Sequence, residues 1–226
     1  MTSFATADKG LTMTIGIIGG GVWGSALARI LSQNKVLIYA RDQNTVKSIN
    51  DHKLNPKLKY SSFNDNVSAT SSLKELKNCN YLFIALPAQN IRDVISQSNF
   101  QNKKHNIIIC SKGIEIISSK FLTQVVEELI PYKSISILSG PSFSNEVAQN
   151  LPTAVTLATK DKSNFEKISK LIQNKEFRVY YSNDLLGTQI GGALKNIYAV
   201  AAGIAKGLNL GENAKSALIS RSFAEM

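Results

Sequence analysis

Thr14-Ile15-Gly16-Ile17-Ile18-Gly19-Gly20-Gly21-Val22-Trp23-Gly24 decides the architecture. The first five residues form a short, β-branched apolar run that ends at glycine, the pattern of a strand buried on both faces of a parallel sheet. Ser25 to Leu31 then follows with helical periodicity, so Gly19-x-Gly21-x-x-Gly24 falls between a strand and a helix. In that setting each glycine has a physical task. Gly19 permits the tight turn, Gly21 lets a pyrophosphate approach the backbone, and Gly24 lets helix and strand pack closely. A pyrophosphate placed there lies on the free N–H groups at the start of the helix.

Working outward, Lys35 to Ala40 reads as a second strand and ends in Arg41-Asp42, 20 residues beyond Gly21. The tip of this strand reads the adenosine ribose, through an acid for a free 2′-hydroxyl or an arginine for a 2′-phosphate. Both residue types stand here; Arg41 comes first, which favours NADP(H) and leaves NAD open. Helices are expected at Asp42–Asn50, Ser71–Lys77, Asn90–Ser98, Ser118–Ile130 and Lys162–Gln173. Strands are expected at Val67–Thr70, Tyr81–Pro87, His105–Cys110, Ser134–Leu138, Thr153–Thr159 and Phe177–Tyr181. The alternation is that of an α/β domain with a parallel sheet. Candidate functional residues gather at strand ends: Gly19 to Gly24, Arg41, Pro87, Lys112 and Ser139 to Ser142. In open parallel sheets the ligand crevice lies outside those ends.

A long helix follows, capped by Asn183 or Asp184. Leu186, Ile190, Leu194, Ile197, Ala201, Ile204 and Leu208 recur at spacings of three and four, predicting an apolar stripe that faces a core. Lys195 lies at the edge of the stripe, beside Gly191 and Gly192, which thin the helix surface enough for a ligand or another backbone to approach. The expected organisation is a flexible extension at 1–13, a dinucleotide-binding domain at 14–183, and the start of an all-α domain at 184–226.

Composition excludes several classes. The charge is +10, but 21 of the 26 basic residues are lysines scattered along the chain, without the clustering and arginine–aromatic interleaving of a nucleic-acid binder. A moderate attraction for anionic metabolites is the better use of that charge. Cys79 and Cys110 stand 31 residues apart without neighbouring ligands, so neither a metal site nor a disulfide framework is expected. No apolar run approaches the roughly 20 residues of a membrane span, and residues 1–13 lack the build of a signal peptide, making the cytoplasm the default location.

Taken together, Gly19 to Gly24, Ser111-Lys112-Gly113, Ser139-Gly140-Pro141-Ser142-Phe143, Leu151-Pro152-Thr153 and Gly192-Ala193-Leu194-Lys195-Asn196 through Gly211-Glu212-Asn213-Ala214 resemble the bacterial type of NAD(P)-dependent glycerol-3-phosphate dehydrogenase. The resemblance covers Thr14 to Met226. It implies a Rossmann-type domain followed by a helical domain, with the active site between them. It also implies hydride transfer between dihydroxyacetone phosphate and sn-glycerol 3-phosphate, serving phospholipid synthesis. Lys195 is similar to the family's catalytic acid/base. Lys112, Gly140, Ser142, Lys195 and Asn196 match substrate contacts, and Val22, Trp23, Arg41, Lys112 and Ser144 match cofactor contacts. A homodimer is kept among the expectations. The family continues past the position of Met226 with an Asp in a Gly-Asp-Leu setting and a Ser-Arg-Asn triplet, and no residue here matches them. The helical domain is therefore expected to be incomplete and to expose apolar area on the Lys195 helix. A non-catalytic NAD(P)-binding chain or fragment is the alternative.

Overall fold

The structure, a computed structural model, describes residues 14–58, 62–98, 100–101 and 104–226; the expected extension at 1–13 lies outside them. Eight strands form one sheet in the order β3-β2-β1-β4-β5-β6-β7-β8. β1 (Thr14–Ile18) is central, flanked by β2 (Lys35–Tyr39) and β4 (Tyr81–Ile84), with β3 (Val67–Thr70) at the edge. β5 (His105–Ile109) and β6 (Tyr132–Ser139) extend the parallel half. The β1 and β4 side chains are almost wholly buried because helices cover both faces of the sheet. On one side α1 (Val22–Leu31), α5 (Ser144–Ala148) and α6 (Lys162–Ile172) enclose Ile15, Ile17, Phe83 and Leu138. On the other, α3 (Ile91–Ser96) and α4 (Leu122–Leu129) enclose Ile18, Leu82, Ile84 and Ile109. α2 (Gln43–His52) lies against β3.

The purely alternating parallel series does not hold beyond β6. β7 (Thr153–Thr159) is antiparallel to β6, with Ser139 opposite Thr156 and Ser136 opposite Thr159. The connection, residues 140–152, contains only the five-residue α5, which no sequence signal announced. A parallel return needs a long crossover, usually built on a full helix. After α6, β8 (Phe177–Ser182) pairs parallel to β7. The last strand therefore ends at the N-terminal edge of the other six.

That reversal aims the long helix. α7 (Leu185–Gly207) starts where Leu185 shares a recess of about 320 Å³ with Tyr81, Asn106 and Ser134, at the beginnings of β4, β5 and β6. Asp184 caps it, accepting from Gly187 N at 2.8 Å. α7 then crosses β6 and β7. Lys195 stands ten residues on, about 15 Å at 1.5 Å per residue, close to the length of a five-residue strand. It thus arrives at the crevice end of the sheet. α8 (Gly211–Glu225) folds back against α7.

Two expected helices differ in kind. Ser71–Lys77 is realised as a 3-10 helix at Leu73–Asn78. Ser118–Ile130 shrinks to α4, because Ile114 and Phe121 form a bridge and Ser119 adopts a left-handed φ of 55°, which closes a loop where the first turn was expected.

The apolar stripe on α7 does not face a core among the described residues. Leu186, Ile197, Ile204 and Leu208 are 52%, 61%, 57% and 65% exposed. The face turned to the sheet carries Gln189 and Gly192 instead. Gln189 tolerates burial because its amide accepts from Thr123 N at 3.1 Å and donates to Thr123 Oγ1 at 3.2 Å.

Candidate functional site

At Gly19, Gly20 and Gly24 the glycine turn is built by contacts that leave no room for a side chain. A methyl group at Gly24 would stand 1.9 Å from the Gly19 carbonyl oxygen, so α1 and β1 can approach this closely only without it. Gly19 itself has φ of +127°. At Gly21 a methyl would meet nothing within 4 Å, and the helix it caps has no side-chain cap. The first N–H groups of α1, from Val22, Trp23 and Gly24, therefore remain available for an external acceptor. Val22 and Trp23 lie partly buried against the core beside them.

These residues open on a cleft of about 290 Å³ whose walls include Gly19, Gly21, Arg41, Lys57, Pro87 and Asn90. The cradle fits a dinucleotide: an anion-ready helix start, an open approach at Gly21 and cationic side chains at the far end. Asp42 borders the cleft, but its oxygens are already engaged in capping α2, accepting from Asn44 N at 3.1 Å and Thr45 Oγ1 at 2.6 Å. The Thr45 hydroxyl, then the Asn44 amide, hold that carboxyl below its usual range. Arg41 makes no such internal commitment and is exposed at the cleft.

Two contributors were not visible in the sequence. Asn55 is buried; its Nδ2 donates to Gly20 O at 3.0 Å and to Ser25 Oγ at 2.6 Å, bracing the glycine turn from 30 to 35 residues away. Lys57, held two residues on by an N–H bond to Asn55 Oδ1 at 2.9 Å, adds a second cation to the cleft. The only local signal was the Asn55-Pro56 turn inside a polar insertion.

A second group assembles around Lys112. Its Nζ donates to Gly140 O at 3.0 Å, and Ser142 Oγ donates to the same oxygen at 3.3 Å. Gly140 is required where it stands: φ is +151° and a methyl would come within 2.9 Å of Val155 Cα on the reversed strand. Gly192 of α7 seats on this group, where a Cβ would lie 3.4 Å from Ser139 Oγ and 3.6 Å from Lys112 Cγ. One turn further, Lys195 is exposed and its Nζ donates to Asn196 Oδ1 at 2.8 Å. Burial first, then the charge of Lys195, push the Lys112 ammonium below its ordinary pKa. Lys112, Gly140, Ser142 and Lys195 are thus brought together, with Asn196 attached through Lys195. Ser144 stands apart at the start of α5, which packs on α1. Among the described residues no cluster of histidine, cysteine, aspartate or glutamate is placed to hold a metal ion.

A doubly wound nucleotide domain with a helical arm laid across β6 and β7 is the class that this fold and site define. The NAD-dependent glycerol-3-phosphate dehydrogenase N-terminus profile matches residues 14–165, and the corresponding C-terminus profile matches residues 184–226. The chain belongs to that family. It is 40% identical over 220 residues to a glycerol-3-phosphate dehydrogenase (NAD(P)+) of Novosphingobium aromaticivorans, covering 96% of this chain and 66% of the relative. The enzyme of the same name from Zymomonas mobilis is 40% identical over 214 residues, with 94% and 62% covered. The crystal structure of glycerol-3-phosphate dehydrogenase from Coxiella burnetii superimposes with a TM-score of 0.87 at 32% identity, covering 95% of this chain and 67% of that one. This chain thus spans slightly less than two thirds of the length of the curated relatives it matches.

Proposed function

We propose that the chain carries the cofactor-binding and catalytic-lysine portion of an enzyme that interconverts dihydroxyacetone phosphate and sn-glycerol 3-phosphate with NADP(H), NAD(H) being accepted less well. The observation that supports this most is the seating of α7 on Lys112 through Gly192, which brings the Lys195 charge to bear on Lys112 at the strand-end side of the sheet where the glycine turn also lies. When bound, the reduced nicotinamide supplies a hydride to the carbonyl carbon of the ketone. Lys195 gives a proton to the carbonyl oxygen as it becomes a hydroxyl, and takes one back in the reverse direction. Lys112 uses one of its three N–H donors on Gly140, leaving two for the anionic substrate. Gly140, Ser142 and Asn196 border the same space. Val22, Trp23 and Ser144 flank the cofactor's path, with Gly19, Gly21 and Gly24 beneath the pyrophosphate.

Arg41 and Lys57 support the preference for a 2′-phosphate, while Asp42, which caps α2 with one bond to each oxygen, keeps lone pairs for a free 2′-hydroxyl and leaves NAD(H) open. The reading extends to a cytoplasmic enzyme that supplies glycerol phosphate for phospholipids, and to a homodimer. No helix among the described residues is long and apolar enough to cross a membrane.

The decisive assay follows NADPH oxidation with dihydroxyacetone phosphate, alongside NADPH binding by fluorescence. Binding with turnover supports the dehydrogenase. Binding without turnover reduces the reading to a non-catalytic NAD(P)-binding chain, and absence of both removes it.

A further inference from the structure

Between the cofactor cleft and Lys112 lies one short segment, Pro87 to Arg92, with different neighbours on its two faces. Pro87 and Asn90 line the cleft, as does Val94 one turn on. The opposite face carries Ala88, Gln89 and Arg92, and all three meet the loop that follows Lys112. A methyl at Gly113 would stand 3.0 Å from Ala88 Cβ. Gln89 donates from Nε2 to Ile114 O at 2.8 Å and accepts at Oε1 from Ile116 N at 2.9 Å. Its amide thus stands where a neighbouring strand's backbone would. Arg92 donates from Nε and Nη2 to the two carboxylate oxygens of Glu115, at 2.9 and 2.8 Å, and its Nη2 also reaches Glu128 at 2.9 Å. Such a planar, two-point pairing fixes direction as well as distance.

The loop depends on these clamps. Its tip, Ile116 and Ile117, is exposed, so apolar burial holds little of it in place. Glu115 is only 3% exposed, and a carboxylate that deep is stable only while paired. Besides Arg92 it accepts from the Ser118 hydroxyl. The bridge between Ile114 and Phe121 and the Glu115 N to Lys120 O bond of 3.0 Å close the loop behind it.

We propose that Gln89 and Arg92 are positioning residues for Lys112. Through Ile114, Glu115 and Ile116 they hold its ammonium over Gly140, in register with the cofactor cleft whose wall the same segment forms. The inference rests on the reading of Lys112 as a ligand of the anionic substrate. Pro87 and Asn90 would contact a dinucleotide held in the cleft, on the face of this segment turned away from the Lys112 loop.

The test uses the full chain with its lysine amines tagged by reductive ¹³C-methylation, the Lys112 signal being assigned by its loss in Lys112→Met. In the wild type the Lys112 signal titrates apart from those of exposed lysines. Arg92→Met and Gln89→Ala are expected to move it toward them, and Arg92→Lys to restore part of the difference, with NADPH affinity unchanged. In turnover, Arg92→Met should raise KM for dihydroxyacetone phosphate about tenfold with a smaller change in kcat, the scale of a misplaced binding group. An unmoved Lys112 signal in both Arg92→Met and Gln89→Ala, with only melting temperature lowered, would make the clamp purely structural and overturn the proposal. Should Arg92→Met fail to fold, Gln89→Ala, an exposed position without charge, decides alone. If the wild type binds NADPH without turnover, the dehydrogenase reading fails while the lysine signal still decides the clamp.

Discussion

Gly19, Gly20 and Gly24 of the nucleotide turn and Gly191, Gly192, Gly203 and Gly207 of α7 look alike in sequence and stand in opposite surroundings. A side chain at Gly19, Gly20 or Gly24 would collide with atoms of the chain itself, at 2.5, 2.5 and 1.9 Å. Around Gly191, Gly203 and Gly207 a methyl would meet nothing within 4 Å, and at Gly192 it would make ordinary contacts. The first set is demanded by the fold. The second costs helix stability, about 1 kcal/mol per glycine relative to alanine, with no described neighbour to require it. A surface this open admits a ligand or another backbone without a clash. The exposed apolar residues on the same helix agree, since faces of that kind mark surfaces made for contact.

The sharpest break between the two regions should come from adding a methyl to each. Gly24→Ala forces α1 away from β1 and is expected to lower stability by about 3 kcal/mol or more and abolish NADPH binding, as read by denaturant melts and fluorescence. A folded variant that still binds NADPH would refute the account of the turn. Lys195→Ala should lose about 10²–10⁴-fold in turnover, the range for removal of a proton-transfer group, while NADPH binding survives; near-normal kcat excludes it as the proton donor. At the other end of the cleft, Arg41→Glu is expected to weaken NADPH about 10- to 100-fold, the worth of a charge-assisted phosphate contact, and to leave NADH little changed. Equal losses for both cofactors would remove the 2′-phosphate assignment.

Lys112→Met tests the electrostatics of the junction. The folded state lowers the Lys112 pKa from its ordinary 10.5, by burial and by the Lys195 charge. Unfolding then takes up a proton between the folded value and 10.5, so stability rises with pH across that window. Below it the penalty of a half-buried ammonium is fully present. The substitution should therefore raise the melting temperature at neutral pH by about 1–3 °C, an advantage that fades as pH climbs toward 10.5, while substrate binding is lost. A lower melting temperature at pH 7 would show that the bond to Gly140 outweighs the burial cost. Smallest of all, Gly191→Ala should stabilise the chain by about 0.5–1 kcal/mol. Reduced turnover in that more stable protein would show that a ligand uses the open surface.

Legibility followed the distance over which each feature is encoded. The strand, glycine turn and helix at the start of the fold are local, and so is the spacing that marks Lys195 and Lys112. The Asp184 cap is likewise read from a few neighbouring residues. Asn55 bracing Gly20, and Gln89 and Arg92 gripping the Lys112 loop, join groups separated by 23 to 35 residues, with nothing local to announce them. The first turn expected at Ser118 gave way to loop closure for the same reason: Phe121 bridges Ile114, a partner that helical periodicity does not consider.

Periodicity and the glycine spacing determined an α/β nucleotide domain and its phosphate turn, and the family resemblance singled out Lys195. Periodicity also determined that α7 is apolar along one stripe, but a stripe names residues and not the surface that covers them. Only the tertiary structure decided that β7 runs antiparallel, because direction depends on whether a thirteen-residue connection can cross the sheet, residues 140–152 here. That reversal starts α7 at the far edge of the sheet, seats Gly192 on Lys112 and carries Lys195 to the crevice.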